Sequence, residues 1–89
     1  MKVVWSDPAL DDVETHTEYL DQFNRVAAAD LANALLTAGD SLASLPRRGR
    51  PGRLSGTREL LVIFPYVIVY QIHAERVEIL RVWHGKLLK

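Results

Sequence analysis

The sequence predicts an α+β domain in which an N-terminal strand and a helical hairpin pack on a small antiparallel β-sheet. Two observations carry this expectation. Over the first half of the chain apolar residues recur every three or four positions, the period of a half-buried helix. From Glu59 onward that period gives way to three short runs rich in β-branched and aromatic residues, which read as strands. With 89 residues there is room for one domain, residues 1–89. A chain this short buries only about 60% of its unfolded surface, so its stability is thin and open to help from a bound partner.

Each element follows from its residues. Lys2-Val-Val-Trp5 is a short apolar strand, and Ser6-Asp7-Pro8 then supplies a helix N-cap and an early proline. Leu10, Val13, Leu20 and Phe23, with Thr17 between them, form one stripe of a first helix running to about Asn24. After a break at Asn24-Arg25, Ala28, Leu31, Ala32, Leu35, Leu42 and Leu45 mark a second helix from Val26 to Leu45, about 30 Å long. Gly39 inside it costs about 1 kcal/mol relative to Ala, and Pro46 ends it. Ala27-Ala28-Ala29 lets the two helices approach closely as an antiparallel hairpin.

The segment from Pro46 to Arg58 holds five arginines and no acid, and reads as an exposed basic loop. Three strands in a meander follow, over Glu59–Phe64, Tyr66–His73 and Val77–His84. Strict alternation in the last of them puts Val77, Ile79, Arg81 and Trp83 on one face, with Glu78, Leu80, Val82 and His84 on the other. Trp5, Tyr66, Tyr70 and Trp83 fall at strand positions and are assigned to packing rather than to stacking on bases.

Composition narrows the function. Hydrophobic residues at 48% and charged residues at 25% exclude a disordered chain. The absence of cysteine excludes a disulfide framework, a zinc ribbon and a thiol nucleophile, and is compatible with a reducing cytoplasm. His16, His73 and His84 have no recognisable metal spacing, and Gly49, Gly52 and Gly56 are not followed by Lys-Ser/Thr. Neither metal nor cofactor is therefore expected. No apolar run approaches a membrane span, and Asp7, Asp11 and Asp12 interrupt any leader-like start, so a cytoplasmic protein without membrane contact is expected. Charge is balanced in total but not along the chain: residues 1–45 carry a net −6 and residues 46–89 a net +6. Such asymmetry points to an acidic partner or polyanion for the basic half.

The order of strand, two helices, Arg-rich connector and three-strand meander resembles the RelE/ParE superfamily of toxins from bacterial toxin–antitoxin modules. The local motifs agree across essentially the whole chain. They are the connector Gly49-Arg-Pro-Gly-Arg53 leading to Gly56-Thr-Arg-Glu-Leu60, the central strand Pro65-Tyr-Val-Ile-Val-Tyr70, and the closing strand Glu78-Ile-Leu-Arg-Val-Trp-His84. The resemblance implies a type II toxin held by a cognate antitoxin, and it divides by target. ParE-like members bind and inhibit DNA gyrase; RelE-like members cleave mRNA on the ribosome.

Metal-free RNA cleavage needs a base, an acid and cations around the phosphorane. The candidates under that reading are Arg58, Arg81 and His84, of which only His84 is a residue type naturally suited to acid–base work. Arg81 has two readings: a phosphate contact, or an inward residue satisfied by backbone carbonyls or by a carboxylate such as Glu59. Arg47, Arg48, Arg50, Arg53 and Lys86 are the candidate contacts to a protein or nucleic-acid partner. Two departures tilt the expectation toward gyrase. Val67 stands where RelE carries an arginine, and Leu87-Leu88-Lys89 offers no clear counterpart to its C-terminal arginine and tyrosine. A member that has lost toxicity and persists as a co-regulator is the third reading.

Overall fold

A computed structural model describes residues 1–85. The elements are β1 (Lys2–Trp5), α1 (Asp7–Asp21), α2 (Arg25–Ser41), β2 (Arg50–Pro51), β3 (Arg58–Ile63), β4 (Tyr66–Ile72) and β5 (Arg76–His84). They form the expected α+β architecture: two helices on a five-stranded sheet of order β1-β5-β4-β3-β2. The pairings β2–β3, β3–β4 and β4–β5 are antiparallel. The first strand departs from that pattern and joins β5 in parallel, so the sheet is mixed.

Both helices are set by side-chain caps. Ser6 Oγ accepts from the Ala9 N–H, with Pro8 in the first turn, and Asn24 Oδ1 accepts from the Ala27 N–H. Both helices also stop earlier than their apolar stripes suggest, at Asp21 rather than Asn24 and at Ser41 rather than Leu45. Phe23 lies in the turn between them and Leu45 beyond the second, and both are exposed. The stripe thus ran past the hydrogen-bonded helix into turns that still carry apolar residues.

One core joins the layers. Ala9 and Val13 of α1 and Leu31, Leu35 and Ala38 of α2 pack, with Leu42, against Leu60, Ile68, Tyr70, Val77, Ile79 and Val82 of the sheet. Gly39 is part of this contact. A Cβ there would stand 2.2 Å from the Trp5 ring and 2.8 Å from Ile79 Cδ1, so close packing demands the residue that helix propensity disfavours.

The closing strand corrects the strict alternation. Val69 pairs Arg81 while Tyr70 pairs Ile79, leaving Leu80 as the extra residue of a β-bulge. The bulge shifts the facing by one, so Val82 joins Val77 and Ile79 in the core. It also aims two carbonyls at the start of α1: Ser6 N–H donates to Ile79 O and Ser6 Oγ–H to Leu80 O.

Candidate partner-binding site

The Arg-rich connector is more structured than an exposed loop. Tyr70, fully buried in β4, donates its hydroxyl to Pro46 O at 2.7 Å and accepts from the Gly49 N–H at 2.9 Å, pinning the start of the connector to the core. A Cβ at Gly49 would lie 2.8 Å from Glu59 O and from the Tyr70 hydroxyl, which explains the glycine. The chain then forms β2 by pairing Arg50 and Pro51 with Glu59 and Arg58.

Glu59 is the centre of this region. It is 4% exposed and faces away from the helix-side core. Its Oε2 accepts from the Arg53 N–H at 2.9 Å, while Arg53 Nε and Arg50 Nη2 each approach it at 3.4 Å. Burial opposes ionisation of Glu59, but the Arg53 N–H and the two guanidinium groups outweigh it and hold the carboxyl below the usual range. Arg53 also lies over the Trp83 ring, 5.9 Å from its centroid. Together these groups border a groove of about 620 Å³ with Arg48, Arg50 and Arg53 at its rim and Leu61, Phe64 and Val67 among its apolar lining. Leu61, Ile63 and Phe64 are exposed here, and β2 pairs only with Arg58 and Glu59, so the outer edge of β3 from Leu60 on has no strand beside it among the described residues.

The other expected site residues are dispersed. Arg47 is exposed, and Arg48 donates to Ser41 Oγ at 2.9 Å. Arg58 donates to Gly49 O at 3.2 Å. Arg81 takes a carboxylate partner, but it is Asp12 of α1 and not Glu59: Nε and Nη2 reach the two Asp12 oxygens at 2.7 and 2.9 Å. Asp12 also accepts from the Val82 N–H at 2.9 Å. His84 lies on the helix side with Tyr66 and His16, ring centroids 5.3 and 6.5 Å away, and its buried Nδ1 has no hydrogen-bond partner among the described residues. His16, which no local pattern marks out for this cluster, points Nε2 at Val82 O at 2.8 Å. Arg58 pairs with Tyr70 and His84 with Tyr66, four residues apart on β4. At about 3.4 Å per residue their backbones are offset by roughly 14 Å along the strands, with β4 lying between them. Lys86 lies outside the described residues, as do Leu87 to Lys89.

Glu59 as an organiser was missed by the sequence reading, which weighed it only as a partner for Arg81. A signal was present: it is the sole acid between Asp40 and Glu75, and it directly follows the five arginines.

Two depressed carboxyls make stability acid-sensitive. Burial works against ionised Asp12 as well, but Arg81 and the Val82 N–H overcome it, and its value also falls. A folded-state pKa below the unfolded value of about 4 gives stability that is complete above that pH and is lost as pH falls through the folded values. Chemical denaturation between pH 7 and 2.5 is therefore expected to show a plateau followed by a decline below about pH 4. In Glu59→Gln and Asp12→Asn variants the decline should be shallower; an equally steep decline in both would assign it to other groups.

A helical hairpin thus covers one face of a five-stranded mixed sheet, and the basic groove lies on the other. A solved structure titled as the chromosomal ParDE toxin–antitoxin system from P. aeruginosa matches this fold with a TM-score of 0.84 at 18% identity, over 94% of this chain and 95% of that one. Toxin RelE2 of Caulobacter vibrioides is 42% identical over 87 residues, 98% of either chain. The putative toxin Y4kP of Sinorhizobium fredii is 39% identical over 85 residues, 94% of this chain and 88% of that one. The sequence profile of the family described as ParE toxin of type II toxin–antitoxin systems, parDE, matches residues 3–87. The chain belongs to this family and is a type II toxin of the RelE/ParE superfamily.

Proposed function

We propose that this toxin acts as a binding protein that inhibits DNA gyrase, and that its cognate antitoxin engages the basic groove. The observation that carries the first part is the dispersal of the cationic and acid–base groups. Arg81 is committed to Asp12, Arg58 to a backbone carbonyl, and His84 to a ring cluster facing α1. A preorganised electrostatic contact to a transition state is worth about 3 kcal/mol, or about 10²-fold in rate. A nuclease would need several of these groups around one phosphate. The groove instead offers an apolar lining and a charged rim, the anatomy of a protein-binding surface.

Induced expression is expected to trigger DNA-damage signalling and filamentation with ribosome-bound mRNA intact, and purified toxin to block supercoiling by gyrase. Rapid mRNA cleavage at ribosomal A-site codons with supercoiling unaffected would instead establish the ribonuclease reading, for which the buried His84 Nδ1, without a hydrogen-bond partner among the described residues, is the favouring feature. For the antitoxin, rim charges act mainly on association rate. Replacing Arg47, Arg48, Arg50 and Arg53 with serine should slow antitoxin binding at low salt and flatten its salt dependence. An unchanged on-rate would remove the connector from the interface.

A further inference from the structure

Gly49 is gripped at both its N–H and its carbonyl. The N–H donates to the Tyr70 hydroxyl at 2.9 Å, and the carbonyl accepts from Arg58 Nη1 at 3.2 Å. The same hydroxyl donates to Pro46 O at 2.7 Å. Arg58 and Tyr70 stand directly opposite each other on β3 and β4, so their side chains share the helix-side face, where Tyr70 is fully buried. A Cβ on Gly49 would collide with the Tyr70 hydroxyl and with Glu59 O, so only a bare backbone fits between them. The chain on either side of this fixed point carries Arg47, Arg48 and Arg50, all exposed. Arg48 donates to Ser41 Oγ and Arg50 to Glu59 Oε1, which gives the three a definite arrangement.

We propose that Tyr70 and Arg58 act together as positioning residues for the antitoxin interface: they fix Gly49 and so present Arg47, Arg48 and Arg50 as one prearranged array, while neither touches the partner. The inference rests on reading the Arg-rich connector as the antitoxin's contact, and it does not depend on gyrase being the target. A loop that orders only on binding gives up backbone freedom at that moment, and the loss subtracts from affinity. A connector tied to a buried hydroxyl has already given it up. Tyr70 is wholly inside the core and reaches no partner. Arg58 is half-buried, and its guanidinium is spent on a carbonyl of its own chain. Charges at a rim set the rate of encounter, whereas preorganisation shows in the lifetime of the complex. The two kinds of role therefore separate kinetically.

The test follows binding of the cognate antitoxin to purified wild-type toxin, Tyr70→Phe, Arg58→Met and the double variant, between about 50 and 200 mM salt. Tyr70→Phe keeps the ring and the charge and removes only the hydroxyl. It should raise the dissociation rate about tenfold and leave the association rate and its salt dependence as in wild type. Arg58→Met should also act on dissociation, with association at low salt within about twofold of wild type. The double variant should dissociate no more than about twofold faster than either single one, since a connector released once cannot be released again. If Arg58 touched the partner directly, Arg58→Met would slow association, flatten its salt dependence, and multiply with Tyr70→Phe to about a hundredfold in dissociation; that result overturns the proposal. Wild-type dissociation in Tyr70→Phe, beside slow binding in the four-serine variant of the connector, overturns the positioning role and leaves the reading of the connector standing. Unchanged binding in the four-serine variant overturns both. Amide exchange gives a readout independent of partner. In wild type the Gly49 N–H should exchange at least about 100-fold more slowly than in an unstructured chain. In Tyr70→Phe it should approach the free rate while the buried Ile68 and Ile79 amides stay protected, which separates a loosened connector from general destabilisation. A rapidly exchanging Gly49 in wild type overturns the proposal even where the variants do not fold.

Discussion

Gly39→Ala is expected to destabilise the protein by about 2 kcal/mol, although it replaces a poor helix former with the best one. Propensity alone favours the change by about 1 kcal/mol. Packing reverses the sign, because the new methyl would fall 2.2 Å from Trp5 Cζ2 and 2.8 Å from Ile79 Cδ1. The indole cannot swing aside freely, since its Nε1–H donates to Asp40 Oδ1 at 3.2 Å and the ring packs against the core. Overpacking of this kind typically costs 1–3 kcal/mol, at the upper end where ring and backbone must move together. In a domain of this size a net loss of 2 kcal/mol lowers Tm by roughly 8–16 °C. A Tm equal to or above wild type would mean that α2 shifts to absorb the methyl.

The second large effect is expected at Asp12. Its carboxylate accepts three hydrogen bonds, two from Arg81 and one from the Val82 N–H, and thereby fastens α1 to the closing strand. Asp12→Ala should cost about 2–3 kcal/mol, because an inward backbone donor loses its acceptor and a charge-assisted fork is broken. Arg81 is half exposed and can be hydrated when released, so Arg81→Ala should cost less than Asp12→Ala. Urea denaturation of both variants checks the order; a larger loss for Arg81→Ala would place the main contribution in the guanidinium stem.

These two positions also show what the sequence could and could not reveal. The helices were legible because capping is local: Ser6 with Pro8, and Asn24 with the Ala27 N–H, lie within a few residues. The strands were legible because β-branched runs are local as well. The sequence pattern did not reveal the bulge at Leu80, because nothing in an unbroken apolar run marks the residue that drops out of register. The Asp12–Arg81 pair spans 69 residues, and one acid among eight in the first half carries no mark of its partner. Of the candidate site, the basic rim was readable from the arginine density. Its buried counter-ion was not, since a glutamate opening a strand looks like any exposed polar residue until the fold covers it.

The parallel pairing of β1 with β5 has a consequence for synthesis. Ser6, just after β1, bonds to Leu80, 74 positions further along the chain. At about 5–20 residues per second, a ribosome takes roughly 4–15 s to make that stretch. Throughout this interval the first strand has no neighbour, and the helical hairpin has no complete sheet to cover. The order of emergence therefore makes the closing strand the committing step, and long-range closures of this kind are slow relative to local hairpins. A nascent chain cannot complete this sheet until β5 has cleared the exit tunnel.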